Sequence, residues 1–534
     1  MDGGVSVDGR DGEFIKSSAE MFGRFSGLVL PKMLEWEQRL KAHPEELEAI
    51  EFDVQHTFLR GAGLMVAGLI SVVMQTPEFS AAAEQTRQRY GTPLAKGRNR
   101  RMAMNVLGGV MMWITSLYCE PRRGVFRRSN DGAVGLNVEQ VQFGFGKKVS
   151  PGLETQVSRQ AALCPSFELA QAELERSGVK LNVKTVRRIA QQCGEKLLNL
   201  RTENLLQWRN GTLASTGELT AKRVTVQIDG GRTKLRGDLK KAVPAQDTLS
   251  DDGLVISDAA GRSKRPAQRT FDSEWREPKL VTIFIHNDKG RMEKQSLATT
   301  DGTFTGPDAT AELVAMHLHR LGAAAAASIT FVCDGAVWIW DRIDSIVQQA
   351  GIPPAVKIHQ VLDNCHAVHH VSLALASLGA SAEERMPLYR DLRSRLRNGQ
   401  WRYVVNELQQ FADDDPENSA LQTELNYLRK HGEAGRLNYT YFRGLGLPLG
   451  SGAIESSIRR VINLRLKGNG IFWRAEHAEE MLQLRALVIT KRWDEQTRAM
   501  RRLMGLRQLT DWHWVPRPMT RTTESDSTTQ QNTA

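Results

Sequence analysis

The chain has 534 residues, several times what one hydrophobic core organises, which excludes a small disulfide-stapled scaffold and implies two or more domains. Hydrophobic residues make up 41% and charged residues 25%, at a mean hydropathy of -0.38, the composition of a soluble globular protein. Lys+Arg total 71 against 61 Asp+Glu, a net charge of +10 and a pI near 9.4, so a polyanionic partner fits, although the total does not identify it.

The five cysteines (Cys119, Cys164, Cys193, Cys333, Cys365) are scattered and none forms a C-x-x-C pair. That argues against a disulfide framework or a four-cysteine zinc site and for a reducing cytoplasm. The start, MDGGVSVDGRDGEF, lacks the basic flank and apolar run of a signal peptide. The most apolar stretch, Gly61 to Val73, is shorter than the ~20 residues that cross a bilayer and reads as a buried helix, so no membrane role is expected.

In chain order, the first dozen and last twenty residues read as disordered. Between Glu13 and Gln75 apolar residues recur at helical spacing (Phe22, Phe25, Leu28, Leu30; Ile50, Phe52, Val54, Phe58). From Gln85 to Arg128 ten Lys/Arg face one acid, Glu120, a local charge of +9 around a predicted hairpin in which MAMNVL and VMMWITSLY flank Gly108-Gly109. Ser166 to Leu197 reads as helix, Gly178 turn, helix, with Phe167, Leu169, Leu174 and then Val183, Val186, Ile189 as apolar stripes. Lys184, Arg187 and Arg188 on the second helix suit a helix-turn-helix entering a major groove; an αα-hairpin with a solvated basic face fits equally well.

Strand-like alternation begins at Arg223. Five strands are predicted at 223–229, 280–287, 294–300, 328–334 and 356–363, with helices from Asp308 to Leu321 and from Val337 to Gln349, and Gly237 to Trp275 as a long surface loop. Three consecutive strands followed by alternating helix and strand imply a mixed α/β sheet covered by helices. The chain thus divides into a disordered start (1–12), an N-terminal helical region with a basic hairpin (13–160), a helix-turn-helix-like DNA-binding region (161–220), a first core segment (221–363), an all-α insertion (364–436), a core completion (437–493) and a basic helix with a disordered tail (494–534).

Asp229 and Asp334 each end an apolar strand and precede Gly, and Glu455 stands in the first turn of a helix whose Ile454, Ile458, Val461 and Ile462 would face the sheet. Two aspartates and a glutamate brought to one sheet edge, with Gly leaving the backbone open, suit a pair of Mg2+ ions about 3.5–4 Å apart in phosphoryl transfer. Taken singly, each has a plainer reading: turn or cap chemistry for the aspartates, an i,i+4 pair with Arg459 for Glu455.

The strings AKRVTVQIDGGRTKLR, EWREPKLVTIF, FVCDGAVWIW and GSGAIESSIRRVINLRLKGNGIFWRAEHAEEMLQLRAL resemble the ISKra group of bacterial insertion-sequence transposases, across Ser150 to Asp494. These are DDE transposases related in plan to Mutator-like elements. The resemblance implies a ribonuclease-H-like core interrupted by the insertion, with Asp229, Asp334 and Glu455 as the catalytic, metal-binding D, D and E. It implies two Mg2+ ions, replaceable by Mn2+, and as partners the terminal inverted repeats and target DNA. The reaction would be water-driven nicking at element ends, then attack of the freed 3′ hydroxyl on target DNA, by a homo-oligomer assembled on DNA in the nucleoid. Asp363 and His366 match the family's C/D-x-x-H motif.

Without that motif, His359, Cys365, His366, His369 and His370 form a zinc candidate that lacks a second cysteine and a distant ligand pair. Relatives often carry paired cysteines ahead of the helix-turn-helix; this chain keeps Cys119 alone, so the hairpin would meet phosphates without metal. From Ser456 to Arg507 twelve Lys/Arg and five acids give +7, so the two basic zones together exceed the whole chain's +10. Arg459, Arg460, Arg465, Lys467 and Arg474 are candidates to neutralise phosphates beside the scissile bond, and Phe472-Trp473 to stack on an unpaired base; the alternative is core aromatics and solvated arginines, and the expectation is mixed roles for the arginines with Phe472, Trp473 and Trp401 mainly packing. The alternative function is a transposase-derived DNA-binding protein without catalysis; a third is a nuclease without strand transfer.

Overall fold

The structure, a computed structural model, describes residues 5–7, 18–88, 94–121, 124–128, 136–146, 148–239, 271–468, 470–510 and 512–516. Two compact units divide the chain: Met1–Val157 with Gln171–Asn182 and Ala499–Ala534, and Ser158–Ala170 with Val183–Arg498.

In the first unit the periodicity before Gln75 becomes two helices packed on each other, Ser18–Ala42 and Leu47–Met74. The buried helix expected at Gly61 to Val73 is buried on one face only: Gly61, Ala67, Gly68 and Ser71 are covered, whereas Met65, Leu69 and Val73 are exposed. With the preceding turn it forms a 31-residue element, Pro44–Met74, long and apolar enough by length and composition to cross a membrane, and 33% of its most apolar window is buried. The basic hairpin forms where expected, with Leu94–Asn105 and Met111–Pro121 antiparallel about Gly108 and Gly109. Val5–Val7, within the first dozen residues expected to be disordered, pairs with Met112 to Ile114, and Trp512–Pro516, which reaches into the expected tail only at Val515 and Pro516, pairs with Gly124–Arg128. The rest of both ends lies outside the described residues.

The helix–turn–helix pattern yields helices Phe167–Arg176 and Val183–Arg209, with Gly178 at a φ of 78°. They do not form a compact unit of their own: Gln171–Asn182 belongs to the first unit and Val183 onward to the second. The second helix outruns its expected end because its apolar stripe continues through Leu197 and Leu200.

The second unit is built on a five-stranded mixed sheet in the order Thr299–Thr303, Lys279–Ile285, Arg223–Gly230, Ser328–Cys333, Lys357–Leu362. Lys279–Ile285 runs antiparallel to its neighbours on both sides, Thr299–Thr303 and Arg223–Gly230; the last two run parallel to the central Arg223 strand. Val224, Val226, Ile228, Val281, Ile283, Phe331 and Val361 form its core. Helices cover both faces, which accounts for the nearly continuous apolar runs of the parallel strands.

Three expectations shift. The third strand is Thr299–Thr303, not 294–300. It is buried despite its polar letters because Asp301 takes the Gly302 N–H at 2.7 Å, pairs with Arg201 at 3.2 Å and lies 2.8 Å from His317 Nε2. The expected loop from Gly237 to Trp275 is flanked by an antiparallel hairpin, Thr233–Leu239 with Phe271–Arg276, and residues 240–270 lie outside the described residues. The helix expected from Val337 to Gln349 breaks at Asp341 and Arg342 into two short pieces. Between 364 and 436 the chain carries the helices Asn364–Ala376, Ala382–Arg397, Trp401–Asp414 and Ser419–Glu433. Trp401 is a core residue there, 6% exposed.

Candidate active site

Asp229 and Asp334 end neighbouring parallel strands. Phe331 pairs with Val226, and the same register carried three residues on sets Asp334 opposite Asp229. Each aspartate uses Oδ1 locally, Asp229 accepting the Gly230 N–H at 2.6 Å and Asp334 the Ala336 N–H at 3.1 Å. The plain turn-chemistry reading is therefore correct for one oxygen of each. Among the described residues Oδ2 of neither has a hydrogen bond.

Their electrostatics tie the two together and to Glu455. Burial, then the charge of Asp334 and to a lesser degree that of Glu455, pushes the Asp229 carboxyl up to about 6, against the Gly230 N–H and His366, which favour its ionised form. Burial likewise raises Asp334, with Glu277 and Asp363 adding to it and the Ala336 N–H and His366 opposing it. Carboxylates crowded into a half-buried site disfavour one another's charge, and a cation relieves that.

Glu455 is exposed on the helix Gly452–Ile458, which passes into a π turn at Arg459–Asn463. The helix is seated by its apolar face, Ile454, Ile458, Val461 and Ile462, as expected, and by polar latches that the sequence does not advertise. Gln227, two residues before Asp229, donates from Nε2 to the Gly450 carbonyl at 2.9 Å and accepts the Ile454 N–H at 3.0 Å. Ser457 Oγ lies 3.2 Å from Thr282 Oγ1. At the far end Arg485 Nε donates to the carbonyls of Arg460 and Val461 at 3.0 and 3.1 Å. Among the described residues no ion pair joins Glu455 to Arg459; the polar neighbour of its carboxylate is Ser451 Oγ, at 3.3 Å.

The glycines after the aspartates do not leave open backbone. A Cβ at Gly335 would fall 2.0 Å from the Tyr427 ring, and one at Gly230 would fall 2.0 Å from Glu277 Oε1. A small residue is needed at Gly335, where Tyr427 of the helix Ser419–Glu433 closes over it; at Gly230 the contact is with the flexible end of the exposed Glu277, which can move aside. Glu277 is a fourth acid at the site, paired with Lys279 at 3.1 Å. Sequence pattern misses it because it falls in a turn before Pro278, without periodicity.

Asp363, read as part of D-x-x-H, is 1% exposed and caps the helix Asn364–Ala376 through the N–H groups of Cys365 and His366. Its Oδ2 accepts both the N–H and the hydroxyl of Ser451. Both oxygens are occupied, so its role is to join elements. His366 acts on both aspartates electrostatically. Among the described residues no group of three or more His, Cys, Asp or Glu is gathered closely enough to hold a metal ion. Asp229, Asp334 and Glu455 share one electrostatic neighbourhood without meeting at a point, and the zinc candidate around His359, Cys365, His366, His369 and His370 does not assemble.

Of the residues expected on DNA, Lys184, Arg187, Arg188, Arg459, Arg460, Lys467 and Arg474 are exposed. Arg465 is not. It is 3% exposed, its guanidinium 4.6 Å from the Phe167 ring and 5.0 Å from that of Trp473, and burial beside Arg485 lowers its pKa to about 10. It lies in the turn that follows the π segment, which carries it inward onto Phe167 and Trp473, so Arg465 packs and does not meet phosphate. Trp473 is 7% exposed, as expected of a packing residue, and Phe472 packs on Phe271 with centroids 5.4 Å apart. Comparison with known proteins places the chain beside none of them: no protein family, no curated protein and no solved structure matches it.

Proposed function

We propose that this protein is a DDE transposase with a ribonuclease-H-like core, binding the terminal inverted repeats of an insertion sequence and catalysing 3′-end cleavage and strand transfer. The observation carrying this reading is the placement of Asp229 and Asp334 at adjacent parallel strand ends, with Glu455 coupled to Asp229 on a helix that Gln227 latches to the same strand. Three antiparallel strands followed by two parallel ones suit such a core. An all-oxygen donor set, in which the Asp229 and Asp334 Oδ2 atoms have no hydrogen bond among the described residues, suits Mg2+, or Mn2+ in its place. Asp229, Asp334 and Glu455 would hold it, and bound there it would supply charge neutralisation and an activated water. Arg459, Arg460, Lys467 and Arg474 supply exposed cations after Glu455 for phosphate. Pairing two element ends calls for an oligomer on DNA, in the cytoplasmic nucleoid.

The test is incubation of the full chain with a labelled inverted-repeat duplex and Mg2+. A nick at the element end is expected, followed by joining to a target. Binding without cleavage overturns the enzymatic reading in favour of a transposase-derived DNA-binding protein, a second reading favoured by carboxylates that are not gathered around one point. Cleavage without joining makes the protein a nuclease.

A further inference from the structure

The hairpin that leaves the sheet directly after Asp229-Gly230-Gly231 has two unlike faces. Along Thr233–Leu239 the alternation buries Thr233 and Leu235 and turns Arg232, Lys234 and Arg236 to the other side. In the antiparallel register Trp275 stands across from Lys234 and Ser273 across from Arg236, on that same side. The Arg232 guanidinium lies 4.7 Å and the Lys234 ammonium 5.0 Å from the Trp275 ring centroid, yet the residue remains 46% exposed. Arg236 lies 4.3 Å from the Phe271 centroid. Among the described residues none of these three cations has a carboxylate within ion-pair distance. Glu274, by contrast, stands across from Leu235 on the opposite face and is taken by Arg276 at 2.8 Å.

We infer that this face is a track for one unpaired DNA strand. Cations at every second residue of a β-strand recur at about 6.6–6.8 Å, close to the separation of successive phosphates along an extended strand. The indole set among them offers a base a stacking surface, which a duplex with its bases already stacked cannot use. The two cations orient the ring in the free protein and turn to phosphate as a base takes its face. The track starts at Arg232, three residues past Asp229, so it leads one strand of an opened duplex toward the carboxylates. The direction of travel, though not the binding, rests on the transposase reading.

The test uses the full chain and a fluorescein-labelled oligothymidine of about 16 nucleotides, with a duplex of equal length, read by anisotropy across a salt series. Trp275→Ala weakens single-strand binding about 5- to 150-fold while duplex binding holds, and Trp275→Phe restores most of it. Replacing Arg232, Lys234 and Arg236 together by Ala flattens the single-strand salt slope by about 2 log units per log unit of salt. Lys234→Glu, a charge reversal at a half-buried position whose ammonium lies 5.0 Å from the Trp275 ring, weakens the single strand in the same direction. Single-strand affinity within twofold of wild type in both Trp275→Ala and Lys234→Glu overturns the track, as does an equal loss for duplex. The two readings fail separately. A chain that never nicks DNA yet loses the single strand on Trp275→Ala keeps the track and loses the transposase; one that nicks normally while both variants bind normally keeps the transposase and loses the track.

Discussion

Asp363 and Ser451, eighty-eight residues apart, are joined through one carboxylate oxygen: Asp363 Oδ2 accepts both the backbone N–H and the hydroxyl of Ser451. Its other oxygen caps the helix Asn364–Ala376. Ser451 is the residue from which the Glu455 helix starts, and its carbonyl accepts the Ile454 and Glu455 N–H groups. The start of the helix Asn364–Ala376 and the start of the glutamate helix are thereby fixed to each other.

Asp363→Ala removes the helix cap and orphans a buried N–H and hydroxyl. A loss of about 3 kcal/mol is expected in urea unfolding. Asp363→Glu, too long to reach both partners, follows the same course. Activity lost with stability intact would instead make Asp363 a metal ligand.

Glu455 is exposed, so Glu455→Gln changes unfolding free energy by less than about 0.5 kcal/mol. It abolishes Mg2+-dependent nicking and leaves inverted-repeat binding in gel-shift titrations unchanged. Retained nicking removes Glu455 from the chemistry.

Asp301 sets an acid limit on the second unit. Burial alone would raise its carboxyl, but Arg201, His317 and the Gly302 N–H outweigh that and hold it at about 2, below the 3.8 of a free aspartate. A depressed folded-state value contributes stability that is complete above pH 4 and lost as pH falls toward 2, about 2 kcal/mol in all. Asp301→Asn is expected to cost about 2 kcal/mol at pH 7, because buried Arg201 loses one of its two carboxylate partners and keeps Glu479, and to flatten the dependence between pH 4 and 2. Urea midpoints for both chains across that range decide it.

Arg465→Ala is expected to destabilise by about 2–3 kcal/mol, because the packing of its stem and guanidinium on Phe167 and Trp473 goes with the side chain. The salt slope for duplex DNA stays unchanged. Arg459→Ala and Arg460→Ala should do the reverse, each flattening that slope by about 0.9 for the phosphate it no longer neutralises, with the fold intact. A flattened slope for Arg465→Ala would return it to the DNA surface.

Local pattern alone determined the strands 223–229 and 328–334, the helix from Asp308, the helices between 364 and 436 and the candidacy of Asp229, Asp334 and Glu455, because apolar alternation and helical spacing are written in consecutive letters. Tertiary structure decided what those letters cannot carry. Thr299–Thr303 is a core strand because Arg201 and His317 arrive from distant helices to satisfy Asp301. Arg465 is buried and Arg459 exposed although both are arginines on one basic stretch, since Arg459 opens the π segment and Arg465 lies in the turn after it, packed on Phe167 and Trp473. Glu277, Gln227, Ser451 and Tyr427 join the site through single contacts between remote segments, and such contacts leave no period along the chain. The charge of +10 behaves the same way: composition set its sign, and burial of Arg465, Arg485 and Arg492 decided which of its members can reach a phosphate.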